Sequence, residues 1–159
     1  MFEGCSALTT APSLPATDLA ESCYRSMFNH CTSLTTAPEL LATSLAEYCY
    51  SFMFQDCTSL TKAPDLLATT LATSCYRYMF GRCTSLTTAP KLLPATTLTL
   101  AEFCYQSMFI GCSSLTTAPD LPATTLARGC YANMFQSCSS LNSIRIGYVG
   151  YHNEDYFYS

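Results

Sequence analysis

Eleven cysteines are the residues of this 159-residue chain best equipped for chemistry, and they fall into two registers. Cys5, Cys31, Cys57, Cys83, Cys112 and Cys138 form one; Cys23, Cys49, Cys75, Cys104 and Cys130 form the other. Thiols so placed could be buried apolar fillers, could pair as disulfides, or could hold a metal. If the registers touch, pairs eight residues apart form (Cys23 with Cys31 through Cys130 with Cys138) and Cys5 is left over. Zinc is disfavoured because no Cys-x-x-Cys occurs and His30 and His152 fall in unrelated places. A nucleophilic cysteine needs an electropositive, partly open niche with a base beside it, and neither register supplies one. With no Gly-rich phosphate loop and no triad pattern either, no catalytic residue, metal ligand or cofactor is assigned, and an enzyme is not expected.

The two registers follow from a tandem repeat. Cys31-Thr-Ser-Leu-Thr-Thr-Ala-Pro38 returns nearly unchanged at Cys57, Cys83 and Cys112, with a fainter copy at Cys5 and a degraded one at Cys138. The period is 26 residues except before Cys112, where it is 29, the added residues lying between Leu92 and Leu100. An insertion there is expected to bulge outward. Within the unit that starts at Cys57, Leu60 anchors a short extended segment that ends at Ala63-Pro64, since proline gives no ladder donor. A crossover follows, Thr69 or Thr70 reads as a helix N-cap, and Leu71, Cys75 and Met79 lie four apart. That stripe, repeated as Leu45, Cys49, Met53 and as Leu126, Cys130, Met134, predicts a helix of two to three turns ended by Gly81.

Stacked units would bury columns of Cys31, Cys57, Cys83 and Cys112 and of Leu34, Leu60, Leu86 and Leu115, with Met-Phe pairs beside them. The expected fold class is therefore an α/β repeat solenoid: a right-handed stack with a short parallel sheet on one side and short helices on the other. Residues 1–146 would be five full repeats and a diverged sixth. Residues 147–159, rich in Tyr and Phe, would be a cap or the start of a following segment.

Met-Phe-x-x-Cys-Thr/Ser-Ser-Leu-Thr followed by proline resembles the BspA-type leucine-rich repeat, with Met53-Phe54, Cys57 and Leu60 at matching positions. Only the last unit, with Leu141, Ile144 and Ile146, follows that family's strand closely. The resemblance implies a non-catalytic surface module of bacteria or protists, extracellular or at the cell surface, engaged in adhesion.

Charged residues are 11% of the chain and the net charge is -4, so no basic stripe offers itself to nucleic acid or anionic lipid. No apolar run is long enough to span a membrane and no signal peptide is present, and the chain reads as a segment cut from a longer array. Function in a repeat protein should sit where units differ. Those positions include Glu39, Asp65, Lys91 and Asp120 after the proline, and Tyr48, Phe52, Tyr78, Phe103 and Ile110 on the presumed helical side. These nine residues are the candidates for contacting a protein or glycan partner, although packing between helices would equally explain the aromatic ones. A structural role is the alternative, in which open ends stack into fibres. The Thr10, Thr36, Thr88, Thr117 column, broken by Lys62, is read as filler of an exposed strand, with one of each Thr pair facing outward.

Overall fold

The computed structural model describes residues 1–91, 93 and 100–147. Among them there is no helix and no continuous strand; the parallel pairing that exists is a set of isolated bridges such as Thr10 with Thr36, Lys62 with Thr88 and Leu40 with Leu66. The expected α/β leucine-rich-repeat solenoid, with helices on one side and a parallel sheet on the other, is therefore not what forms. No helix follows Thr69 or Thr70, and the last unit makes single bridges at Ser143 and Ile146 instead of a longer strand. The expected outward bulge at Leu92–Leu100 rests on residues 92 and 94–99, and the expected aromatic cap on residues from 148 onward, all outside the described residues.

In place of the helix runs a ribbon of consecutive turns. Cys23 N–H donates to Ala20 C=O, Arg25 to Ser22, Met27 to Tyr24, Asn29 to Ser26 and Cys31 to Phe28, so every second N–H closes a four-residue turn. The N–H groups between them leave the layer. Ser22, Tyr24, Ser26, Phe28 and His30 donate to Glu47, Cys49, Ser51, Met53 and Gln55 of the next layer at 2.9–3.0 Å. The same five bonds recur at each later junction, always from the earlier layer to the later. An α-helix would spend those N–H groups on its own i−4 carbonyls. The ribbon spends them between repeats, which joins the repeats into one stack.

Alternate turns require a positive φ at their third residue, as type II turns do. In the layer of Tyr48 these residues are Tyr48, Phe52 and Asp56, with φ of 54°, 59° and 58°. Among the described residues, all thirteen non-glycine residues with positive φ, and Gly4, Gly111 and Gly129, fall in the three columns that these positions define. None is β-branched, the side-chain shape least tolerant of that region. Each costs on the order of 1 kcal/mol, and the axial bond on either side of it offsets the strain. The repeat length of the ribbon is thus four residues, and four is the spacing of Leu45, Cys49, Met53 and Cys57. Those residues do face inward, at 7%, 0%, 0% and 0% exposure, but on a ribbon and not on a helix.

Around this ribbon the core is built as columns. Phe2, Phe28, Phe54, Phe80, Phe109 and Phe135 stack with ring centroids 5.5–5.8 Å apart and nearly parallel planes. Tyr24, Tyr50, Tyr76, Tyr105 and Tyr131 form a second ladder at 5.7–5.9 Å. Leu34, Leu60, Leu86 and Leu115 are fully buried, as are Cys31, Cys57, Cys83 and Cys112. After the proline the chain alternates about the core: Leu66 and Ala68 are buried, while Leu67 and Thr69 are exposed.

Because Leu60 sits in a column with a leucine above and below it, Leu60→Ala opens a cavity the neighbouring layers cannot close. The expected loss is roughly 2 to 5 kcal/mol in chemical denaturation, and a loss near zero would place Leu60 outside the core.

Candidate functional site

All eleven cysteines are free thiols. In the register of Cys31 each thiol donates to the phenylalanine carbonyl of the preceding layer: Cys31 to Phe2, Cys57 to Phe28, Cys83 to Phe54, Cys112 to Phe80 and Cys138 to Phe109, at 3.0–3.1 Å. The thiols that Cys57 and Cys83 feel are neighbours in their own column, and Cys75 likewise feels Cys49. The pairing of one register with the other, eight residues apart, is not made. Burial pushes Cys49, Cys57 and Cys75 from an ordinary 9.0 up to about 12, and Cys130 up to about 11. A thiol held protonated in the core is a poor nucleophile and a poor metal ligand. Among the described residues no three His, Cys, Asp or Glu side chains group as a metal site would need. The five thiols from Cys31 to Cys138 are axial connectors.

Two outward surfaces contain the nine variable residues. On the ribbon side, Tyr48, Phe52, Tyr78 and Phe103 all occupy positive-φ turn positions and are half-buried. Their rings are already engaged. Phe52 stacks on Tyr78 at 5.1 Å, Arg25 lies 5.8 Å from both the Tyr48 and Phe52 rings, Arg77 lies 5.6 Å from Tyr78, and Arg128 lies 5.6 Å from Phe103. Size also alternates up the column: Ser22, Tyr48, Ser74, Phe103, Gly129. A Cβ on Gly129 would stand 2.4 Å from two Phe103 ring carbons, and one on Gly81 would touch Ile110. Large side chains on one layer thus lie over small ones on the next. The variation at Tyr48, Phe103 and Ile110 is compensated packing, and this surface is largely spoken for by its own neighbours.

Also on this side, Asp56 Oδ2 lies 3.5 Å from His30 Nε2 and 3.8 Å from Arg82 Nη1, and accepts from Gln55 Nε2 at 3.1 Å. His30, whose side chain is 57% exposed, and Arg82 thus flank Asp56 along the stack.

Glu39, Asp65, Lys91 and Asp120 are gathered on a different surface, along the Thr-Thr-Ala-Pro runs, and all four are exposed. Two open troughs lie there. One, of about 510 Å3, is lined by Thr36, Pro38, Glu39, Lys62, Pro64 and Asp65 together with Leu41 and Leu67, which are 39% and 51% exposed. The other, of about 590 Å3, is lined by Thr88, Pro90, Lys91, Thr117, Asp120 and Arg145. Each trough therefore combines threonine hydroxyls, proline rings and charges of both signs.

Both residues of each threonine pair are exposed here, not one of the two, because a single bridge does not impose the alternation of a continuous strand. In two of the pairs the first threonine is tied down: Thr35 Oγ1 donates to Thr9 C=O and Thr87 Oγ1 to Thr61 C=O, both at 3.2 Å. Lys62 and Arg145 also line the troughs and are not among the nine candidates, although Lys62 stands where other units have threonine. Its departure from the column was the available signal.

No family model, curated protein or solved structure matches this chain.

Two consequences of this packing can be measured. Gly129→Ala adds a methyl against the Phe103 ring at φ +58°, and should cost about 1 to 3 kcal/mol. Gly4→Ala, where nothing lies within 4 Å, should cost only its backbone strain; equal losses at the two sites would remove the ring contact as the cause. The thiols give the second consequence. With folded values raised above 9.0, unfolded thiols release protons first as pH climbs, so their stabilisation is complete below pH 9 and is lost between 9 and about 12. Denaturation midpoints should fall steeply over that window, and a flat profile would mean the thiols are open to water.

Proposed function

We propose that this chain is a non-catalytic binding module whose ligand lies in the troughs of the Thr-Pro surface, and that the ligand is a protein segment carrying both acidic and basic side chains. The observation that carries this reading is that charges of both signs line each open trough: Lys62 with Glu39 and Asp65, then Lys91 and Arg145 with Asp120. Charges of both signs reward a partner with the inverse pattern and disfavour uniformly charged polymers such as nucleic acid or sulfated glycans. Exposed Leu41 and Leu67 add apolar contact at one trough. Neutral glycans are usually gripped by open aromatic faces, whereas Phe52, Tyr78, Tyr48 and Phe103 are covered by arginines or by each other. A protein partner fits the surface better than a glycan. The rigid ribbon beneath lets the surface bind without first being ordered.

The test is selection of binders from a random peptide display library, with a glycan array in parallel. Selected peptides should contain acidic and basic residues, and the double variant Lys62→Glu, Lys91→Glu should weaken them tenfold or more. Affinity unchanged in that variant would move the site off the troughs, and glycan hits without peptide hits would replace the protein ligand with a carbohydrate.

A further inference from the structure

On the Thr-Pro surface the layers are joined two by two. Thr10 bridges to Thr36, Lys62 to Thr88 and Thr117 to Ser143, whereas among the described residues Thr36 has no bridge to Lys62 and Thr88 none to Thr117. The hydrogen bonds alternate in the same way. Thr35 N–H donates to Thr9 C=O, Thr87 N–H to Thr61 C=O and Asn142 N–H to Thr116 C=O at 3.0–3.1 Å, and Ala63 N–H returns to Thr88 C=O at 3.0 Å. At the junction between Thr36 and Lys62 the same register would join Thr61 N–H to Thr35 C=O and Ala37 N–H to Lys62 C=O. None of these four groups bonds to a described residue. The parting is local: His30 N–H donates to Gln55 C=O on one side of it, and Leu40 bridges to Leu66 on the other. The trough of about 510 Å3 lies over it, lined by Thr35 to Pro38 of one layer and Thr61 to Pro64 of the next. The second trough lies over the other unbridged junction, between Thr88 and Thr117.

Resting on the binding reading proposed above, we infer that the trough between the Thr36 and Lys62 layers takes its protein ligand as an extended segment, bound through the ligand's main chain. Thr35 C=O and Ala37 N–H are spaced as the two groups through which a parallel strand bonds its neighbour, and Thr61 N–H and Lys62 C=O offer the matching pair on the next layer. The trough is open to solvent, so these groups cost little while unpaired. An extended peptide supplies donors and acceptors in the alternation they require. Such main-chain bonds give affinity, and the side chains along the segment give selectivity. Here the selecting groups are charged. Lys62 and Asp65 are three residues apart, so a segment extended at about 3.3 Å per residue meets them with an acidic and a basic side chain about three positions apart. Glu39, one layer from Asp65 in the same column, reinforces the demand for the basic one.

The experiment is amide hydrogen exchange of the full chain by NMR, alone and with the tightest peptide from the display selection. In the free chain the Thr61 and Ala37 amides should exchange about tenfold or more faster than those of Thr87 and Ala63, which hold the equivalent places at a bridged junction. Saturating peptide should slow both by about tenfold or more. Equal rates in the free chain would mean that the junction is closed and would overturn the inference. A second measurement reads the ligand's side of the same bonds: the peptide is resynthesised with one backbone N-methyl group at a time, which removes an N–H and leaves every side chain in place. At least one internal position should then lose tenfold or more in affinity. Peptides that bind and are weakened by Lys62→Glu, yet leave both amides unprotected and tolerate N-methylation throughout, overturn the main-chain inference and leave the binding reading standing. A selection that yields no peptide overturns the binding reading itself.

Discussion

Hydrogen bonds running along the stack in one direction are the constraint on which the molecule depends. Five ribbon N–H groups per layer leave their own repeat and end on the next. Once that choice is made, the remaining N–H groups have only three-residue-back partners within the layer, and the turns must alternate between ordinary and positive-φ forms. The unusual backbone of Tyr48, Phe52, Asp56 and their equivalents follows from the axial bonds, not from any glycine requirement in the sequence. The ladders follow too. With layers bonded in register, identical residues are held face to face, and a stack of parallel phenylalanine rings at 5.5–5.8 Å is the apolar way to fill a column.

The cysteines belong to the same logic. A thiol is small enough to fit a column at zero exposure, and as a weak donor it reaches a carbonyl that already serves a turn. Phe28 C=O accepts both the Cys31 N–H and the Cys57 thiol. Each layer is thereby fastened to its neighbours by its ribbon N–H groups toward the later layer and by its thiol toward the earlier one. The thiols contribute as hydrogen-bonded filler, and the core holds together without a crosslink among the described residues.

Much of this was legible in the sequence, and the limits of legibility are physical. The buried columns at Leu34, Leu60, Leu86 and Leu115, and the inward stripe of Leu45, Cys49 and Met53, could be read from spacing, because burial follows from repetition whatever the local backbone. The element could not. Over two helical turns a period of 3.6 and a period of four differ by less than one residue, so a short stripe fits both. No glycine marks most of the positive-φ sites: Tyr48, Phe103 and Arg82 carry no outward sign of the conformation. Reading the columns vertically would have helped at Phe103, where Gly129 one layer on makes room for the ring. Among the candidate site residues, Glu39, Asp65, Lys91 and Asp120 were recognisable as positions where units differ, and they do share one surface. Lys62 escaped because it replaces a threonine of a column, where a departure looks like noise until the column is seen to be exposed, and Arg145 because it stands in the degraded last unit where the earlier units have proline.

The scaffold and the exposed surface are also separable in energy. Pro38, Pro90 and Pro119 are buried, but the residue after each of them is exposed and makes no axial bond through its side chain to any described residue. Glutamate, aspartate or lysine can therefore stand after the proline without disturbing either the ribbon or the ladders. The ribbon side lacks that freedom. There the side chains of adjacent layers are fitted to each other, small against large where Gly129 faces Phe103 and ring on ring where Phe52 stacks on Tyr78. Variation on the ribbon side is thus constrained between layers, whereas variation after the proline is not, and a surface that can change its charges independently of its fold is the one suited to being fitted to a partner.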